Sequence, residues 1–589
     1  MRVADYIIEF LIAKGITKPF VVTGRGALFL NDALAKAKDM EPVFPHHEQS
    51  AAFAAVAAAD LSQSPQAAIV STGCASTNVM TGLLSAWQDH LPLIVISGQN
   101  TLKETTRHTG LDIKTYGQQE ADIIALVEPI SKYAVMLEDP ARVRYELEKM
   151  FHMATEGAMG PVWLDVPLDI QNARVEPDVL DGFEAPTEDR NVAHQDVDRL
   201  VRAFSEADRP VFLIGAGVRR AQAEQALGAL CAEKSIPLVY TASAVDVIPA
   251  SEPVSIGSLG SQGCSRAGAF TIQNADLVVI LGSRMTTLTT GPDVCGFAPK
   301  AKVIAVDINA TEHQKAGLSY DSFIQADVGA VLDVLVEQMA RLPSFDPWLQ
   351  QAQQWKIELA AAAPFENTDD AVDLHDVADR VGDVLPETGV FVCDSGFIDV
   401  IVPTNAAFRK GQRVIRPVSQ GAMGFALPGA IGVAATSARP VLCMVGDGSI
   451  MMNLQELETI ARCQLNIKIV VVVNGMYAII KRRQTELFRR RTIGVDEETG
   501  LNTPNFQKIA AAFDLSYVVC TPQTYETVLA EQLIAPGPAL IALPGKVDQD
   551  YVEIGYGRDD TNRLVRRPLE DQKPFLDRAF FAPEKEEAL

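Results

Sequence analysis

The chain has 589 residues, too many for one hydrophobic core, and its length suggests roughly three or four domains. A net charge of −24 argues against wrapping nucleic acid, and 48% hydrophobic with 21% charged residues describes a globular protein with a solvated acidic surface. Eight scattered cysteines without paired spacing argue against a disulfide framework and against a zinc cluster, and read as reduced thiols in a cytoplasmic protein.

The opening MRVADYIIEFLIAKG sets apolar residues at helical spacing around Asp5 and Glu9, which predicts an amphipathic helix and not a signal peptide. Apolar runs stay below the length of about eighteen residues that a membrane span needs, so no membrane partner is expected. Short β-branched runs then alternate with alanine-rich helical stretches: PFVVTG, AAIVST and LPLIVISG first, PVFLIGAG, ADLVVILGS and AKVIAVDI next, PVLCMVGDG and NIKIVVVVNG last. Continuous apolar runs ending in Gly, Ser or Asp describe parallel strands buried on both faces, with chemistry at their C-terminal ends. Residues 172–195 and 341–368 interrupt the rhythm and read as linkers. The expected fold is therefore α/β, three doubly wound parallel-sheet domains over 1–175, 190–340 and 365–550, closed by a charged tail at 551–589.

The strongest local pattern is PVLCMVGDGSIMMNLQELETIARCQLNIKIVVVVNGM, a strand, a tight turn, a helix and a second strand. Asp447 ends the first strand and Asn474 the second, so a βαβ crossover brings a carboxylate and an amide oxygen to one sheet edge. Oxygen ligands of this kind suit Mg²⁺ while leaving room for substrate phosphates. Gly446 and Gly448 permit the sharp turn, and a helix starting near Ser449 offers free N–H groups to an anion. A diphosphate bridged by Mg²⁺ is the expected occupant.

GDGSIMMNLQEL…VVVNGM resembles the cofactor motif of thiamine-diphosphate enzymes, in particular the acetolactate synthase and pyruvate decarboxylase family. The resemblance implies thiamine diphosphate and Mg²⁺ as cofactors, with Asp447, Asn474 and the backbone carbonyl of Met476 as metal ligands. Val473 stands where the family usually has a first asparagine. FPHHEQSAAF resembles the family's HEQ motif and maps its cofactor-activating glutamate onto Glu48, which would hold a proton against the cofactor's aminopyrimidine ring. QGAMGFALPGAIG places Met423 as the wedge that bends the cofactor and Gly421 as a backbone acceptor. STGCASTN carries Cys74-Ala75 where the family has Pro-Gly, while Asn78 matches. Gly396, Phe397 and Ile398 occupy a turn on the diphosphate side, and Gly24 and Gly26 a loop over the thiazolium, with Arg25 an unusual cation between them.

On the substrate side, TYGQQEADI maps Gln119 onto the synthases' active-site glutamine and puts Gln118 where they have phenylalanine. Leu288 replaces the arginine with which the synthases grip the second 2-oxo acid, and Arg483, within Lys481-Arg482-Arg483, replaces their acceptor-side tryptophan. The resemblance then implies decarboxylation of a 2-oxo acid, pyruvate first among them, and transfer of the acyl-anion unit to a carbonyl acceptor. Loss of the carboxylate clamp and gain of positive charge favour a large anionic acceptor such as a keto-sugar nucleotide. The opening helix, HHEQ and RPLEDQKPFLDR look most like the carboligases of polysaccharide gene clusters. Alternatives are an acetolactate synthase using a second 2-oxo acid, a decarboxylase or carbon–carbon lyase, and a cofactor-binding regulatory subunit without turnover. The central domain reads as an FAD or other nucleotide site, or as empty. The family further implies a homodimer or homotetramer with active sites between subunits. None of His46, His47, His90 and His108 is assigned a catalytic role.

Overall fold

A computed structural model describes residues 1–186, 192–292, 294–362, 365–558, 562–577 and 580. Three sheets carry the fold. The first comprises β1 (Phe20–Val21), β2 (Gln66–Val70), β3 (Leu93–Gln99), β4 (Tyr133–Met136) and β5 (Val162–Pro167) in the order β1-β2-β3-β5-β4. The second holds β6 (Pro210–Ile214), β7 (Leu238–Thr241), β8 (Ser255–Leu259), β9 (Leu277–Leu281), β10 (Lys302–Asp307) and β11 (Ser322–Gln325), ordered β11-β10-β9-β6-β7-β8. The third holds β12 (Val390–Val392), β13 (Arg413–Ile415), β14 (Val441–Gly446), β15 (Ile467–Val473), β16 (Ser516–Val519) and β17 (Ala539–Pro544), ordered β13-β12-β14-β15-β17-β16.

Neighbouring strands run parallel in all three sheets. All residues of β3, β6 and β9 are buried, the consequence of helices on both faces. The strand order reverses at β6 in the second sheet, beside β9, and at β12 in the third, beside β14. A crevice opens at such a reversal beyond the C-terminal strand ends.

The first and third sheets meet through two helices of small residues, Glu48–Ser62 and Ala426–Thr436. A Cβ on Gly432 would overlap the Ala54 carbonyl, so alanine and glycine here let two backbones touch. Residues 341–368 are not only a linker. They contain the helix Asp346–Ala361, which buries Trp348, Leu349, Ala352, Trp355 and Leu359 and ties Trp348 Nε1 to the Pro210 carbonyl at 2.9 Å. The apolar stripe is there at helical spacing, but glutamine-rich stretches between its members obscure it. The expected linker at 172–195 contains a turn at Pro177–Val179, and its residues 187–191 lie outside the described residues. Within the tail, 559–561, 578–579 and 581–589 lie outside them too. The described part folds back: Glu553–Ile554 pairs antiparallel with Gln572–Lys573, and Arg266 donates to the Gln572 and Pro574 carbonyls at 2.9 and 2.5 Å.

Candidate active site

The register of β14 against β15 sets Gly446 beside Val472, so the residues that follow, Asp447 and Asn474, emerge together at the sheet edge. The backbone N–H groups of Asn474 and Gly475 donate to Asp447 Oδ2 at 3.0 and 2.7 Å, and Asn474 Oδ1 accepts from the Met476 N–H at 3.2 Å. These residues line a cavity of about 280 Å³. Gly396, Phe397, Ile398, Gly421, Met423, Gly446, Gly448 and Ser449 line it as well. All the positions assigned to the diphosphate side from the sequence thus converge on one space.

Three observations test whether that space suits a metal-bridged diphosphate. Asp447 is 1% exposed and has no Lys or Arg within ion-pair distance among the described residues. Burial holds its pKa above the ordinary carboxylate value despite the backbone donors, which is the signature of a buried charge without a counter-ion. A Cβ built on Gly396, Gly421, Gly446 or Gly475 meets nothing within 4 Å, so the backbone forms an open cradle. Finally, the ten-residue helix Gly396–Asn405 begins at the cavity and directs its free N–H groups there. The residues fit the group. No cluster of three or more His, Cys, Asp or Glu suited to a metal occurs among the described residues, so a cation here would need amide and carbonyl oxygens beside the Asp447 carboxylate.

The sequence reading expected an α-helix near Ser449. A 3-10 turn, Ile450–Met452, stands there, and the next α-helix starts only at Glu456. The anion-facing helix terminus is that of Gly396 instead. Gly448 has a packing role: a Cβ there would run into the Tyr477 ring. Asp394, at the end of β12, was missed. Its Oδ2 accepts from Ser449 Oγ at 2.6 Å and from the Gly424 and Ala426 N–H groups at 3.0 and 3.4 Å, while Oδ1 has no partner. Burial pushes this acid up to about 6. Its position in VFVCDSG, an aspartate closing a buried strand, was the available signal.

A second group of predicted residues gathers at the C-terminal edge of the first sheet. Glu48 is the first residue of its helix, half-buried, and Asn78 Nδ2 donates to its Oε2 at 2.9 Å. Gly26 N–H donates to Ser71 Oγ at 3.0 Å, and a Cβ on Gly24 would crowd Ser71 at 2.5 Å. Close packing of the two loops therefore suffices to explain both glycines. Arg25 Nη1 donates to the Gln118 side-chain oxygen, and no carboxylate lies within ion-pair distance of Arg25 among the described residues. Gln119 is exposed beside it with a positive φ of 59°. Neither Glu48 nor Asn78 lines the Asp447 cavity of the same chain.

Two acceptor-side positions do not join either group. Leu288 sits in the short helix Thr287–Thr290 of the central domain, 41% exposed and outside the cavity. The basic cluster is committed to acids of its own chain, which removes the free positive charge expected of it. Lys481 pairs with Asp496 at 2.8 Å, and Arg482 with Glu486 and Asp550, both at 3.1 Å. Arg483 pairs with Glu553 at 2.9 Å and donates to Tyr551 Oη at 2.7 Å. Apart from Glu486, one turn on, those partners lie 15 to 70 residues away in sequence, where a local reading does not see them.

A cavity opens beyond the C-terminal ends of β6 and β9, lined by Gly217, Ser243, Arg284 and Asp307 of the central domain together with Asp89 and His90 of the first and Arg413 of the third. The Gly-Ala-Gly turn owes its second glycine to contact with Gly282, 2.6 Å from a would-be Cβ.

Comparison with known proteins agrees with this arrangement. Residues 1–126 match "Thiamine pyrophosphate enzyme, N-terminal TPP binding domain", 197–335 match its "central domain", and 394–543 its "C-terminal TPP binding domain". The large subunit of acetolactate synthase isozyme 2 of Escherichia coli (strain K12) is 30% identical over 545 residues, covering 92% of this chain and 95% of that protein. Isozyme 1 of the same organism is 29% identical over 544 residues, covering 91% and 93%. "Acetolactate synthase 2, chloroplastic" of Nicotiana tabacum is 26% identical over 553 residues, covering 91% and 81%. The chain belongs to the thiamine pyrophosphate enzyme family. Within that family it is an enzyme of the acetolactate synthase type, a thiamine-diphosphate-dependent transferase or lyase. No helix among the described residues is long and apolar enough to cross a membrane.

Proposed function

We propose that this enzyme decarboxylates a 2-oxo acid, pyruvate being the first candidate, and ligates the acyl unit to a carbonyl acceptor. The observation that carries the reading is the buried, cation-free Asp447 carboxylate beside Asn474 in a glycine cradle. Mg²⁺ held by Asp447, Asn474 and the Met476 carbonyl would anchor the diphosphate, with Gly396 to Ile398 and Ser449 supplying N–H groups. Thiamine diphosphate supplies an electron sink for cleaving and forming bonds next to a carbonyl. Met423 and Gly421 would shape and orient it. Glu48, steadied by Asn78, would hold a proton against its ring. Gln119 would donate to substrate oxygens.

Because Glu48 does not line the Asp447 cavity of its own chain, we infer a homodimer or homotetramer in which a second copy completes each site. The scattered free thiols support a cytoplasmic setting. For the crevice in the central domain we propose a nucleotide, FAD among the possible occupants. For the acceptor we favour an anion, a keto-sugar nucleotide fitting best. The support is Arg25, a cation at the Gln119 edge with no acid within ion-pair distance among the described residues, whereas Arg483 is paired with Glu553. Similarity to acetolactate synthases along the whole chain supports the second reading, a second 2-oxo acid as acceptor.

One assay separates them. The protein is incubated with thiamine diphosphate, Mg²⁺ and pyruvate together with separate panels of aldehydes, 2-oxo acids and keto-sugar nucleotides, and products are weighed by mass spectrometry. A product heavier than the sugar nucleotide by an acetyl group and one hydrogen (C2H4O) is expected. Ligation to 2-oxo acids alone overturns the anionic-sugar reading, and absence of CO₂ release overturns the decarboxylation.

A further inference from the structure

Beneath the exposed Gln118–Gln119 turn lies a polar network sealed from water. Asp165, at the fourth residue of β5, is 0% exposed. Its Oδ1 accepts from Ser97 Oγ at 2.6 Å, and Ser97 Oγ in turn accepts from Trp163 Nε1 at 2.8 Å. Its Oδ2 accepts from Gln99 Nε2 at 3.1 Å. The same Gln99 nitrogen donates to the Ala121 carbonyl at 3.0 Å. The Gln99 oxygen accepts from Thr72 Oγ1 at 2.5 Å and from the Asn100 N–H at 3.1 Å. Asn100 Nδ2 then reaches the Gln118 carbonyl at 2.9 Å.

The turn is gripped from three sides. Asn100 and Gln99 hold the carbonyls of Gln118 and Ala121. Gly117 lies so close to Asn100 that a Cβ would be 2.6 Å from Cγ. Gly73, at φ +62°, faces the Gln119 carbonyl with no room for a side chain. Between these supports Gln119 is held at a positive φ that a non-glycine residue rarely adopts, at a cost of about 1 kcal/mol that its surroundings must offset.

An amide such as Gln99 can be inserted either way round. Here the Ala121 carbonyl and Asp165 Oδ2 both accept from the Gln99 nitrogen while the Asn100 N–H meets its oxygen, so Asp165 is the side-chain member of the set that keeps the nitrogen inward. We propose that Asp165 is a positioning residue for the substrate side of the active site: through Gln99 and Asn100 it fixes the 117–121 turn, and with it Gln119 and the Arg25–Gln118 pair. This rests on the reading that Gln119 faces substrate. Burial in a site of this kind is expensive, and it holds the Asp165 acid up at about 7. A carboxylate kept there against that cost is consistent with a task of orientation.

The test uses the full-length protein with thiamine diphosphate and Mg²⁺. Asp165→Ala should raise hydrogen exchange of the 117–121 amides about tenfold and lower the ratio of ligated product to CO₂ severalfold, with cofactor-induced thermal stabilisation unchanged. Asp165→Asn can still accept from Gln99 while its NH₂ meets Ser97 Oγ, and should restore both within about twofold. Should Asp165→Ala fail to fold, Asn100→Ala removes one tie to the turn and should produce the same two changes. Unchanged exchange in the folded variant, or an Asn variant as impaired as the Ala one, overturns the proposal. Gln119→Ala separates the two readings. If it alone leaves the product ratio intact, the substrate-facing role of Gln119 is wrong, while the exchange measurement still decides whether Asp165 holds the turn.

Discussion

The Asp165 carboxyl makes the stability of the N-terminal domain depend on pH in a direction that can be worked out. Its folded value is raised from 3.8 to about 7, chiefly by burial, with Asp122 and Glu120 adding repulsion while Ser97 and Gln99 oppose the shift. A folded value above the unfolded one means the native chain holds more protons between these limits, so the contribution is fully present below pH 4 and is lost as pH rises through 7. At about 1.4 kcal/mol per unit, two units between pH 5 and 7 correspond to at most about 3 kcal/mol. Asp165→Asn deletes the titration and keeps the shape. The stability of the Asn chain relative to the wild type should therefore climb with pH, by up to about 3 kcal/mol from pH 5 to 8. Titrating groups that do not interact with Asp165 cancel in that difference. Urea unfolding followed by tryptophan fluorescence reads the difference, Trp163, bonded to Ser97, contributing beside Trp87, Trp348 and Trp355. A difference that stays flat across this range refutes both the burial argument and its sign.

The cofactor site makes an equally sharp demand. Asp447→Ala should abolish the thermal stabilisation given by thiamine diphosphate plus Mg²⁺, and a shift equal to that of the wild type would remove the metal assignment. Gly448→Ala drives a methyl group into the Tyr477 ring, so about 1–3 kcal/mol of destabilisation and weaker cofactor binding should appear together in thermal melts with and without cofactor. At the acceptor side, Arg25→Ala should raise KM for an anionic acceptor severalfold and leave pyruvate decarboxylation alone. Arg483→Ala should instead cost about 1 kcal/mol of stability, its ion pairs being partly solvent-screened, with the acceptor KM unmoved. The opposite pattern returns Arg483 to the acceptor site.

The division between what the sequence reveals and what it hides follows the reach of each interaction. Asp447 and Asn474 were legible because strand register carries them to one edge: a short βαβ unit contains both residues and the reason they meet. The three sheets were legible because burial on both faces leaves unbroken apolar runs such as VVVV at 470–473. The helix Asp346–Ala361 was hidden because its apolar stripe is diluted by glutamines, and the start at Gly396 because CDSGFIDV lacks a familiar phosphate-loop pattern. Asp394 and Asp165 went unread for a different reason. Their partners, Ser449 and Gln99, lie 55 and 66 residues away, so the sequence around an aspartate just after β12 or inside β5 signals burial but not what the carboxyl holds.

The same logic of reach changes the reading of charge around the acceptor. Three consecutive basic residues look available in a sequence, but Asp496, Asp550 and Glu553 arrive from later segments to neutralise them. A single arginine among glycines looks incidental, yet Arg25 finds only an amide partner, Gln118, on the turn that carries Gln119. An amide fixes a guanidinium's direction without cancelling its charge, and the Glu104 carboxylate feels that charge without pairing with it. If the acceptor is an anion, this is where the chain can attract it, and a screen of KM against ionic strength should show the attraction fading in wild type but not in Arg25→Ala. An acceptor KM insensitive to salt in both chains would mean that the pair orients a neutral carbonyl instead.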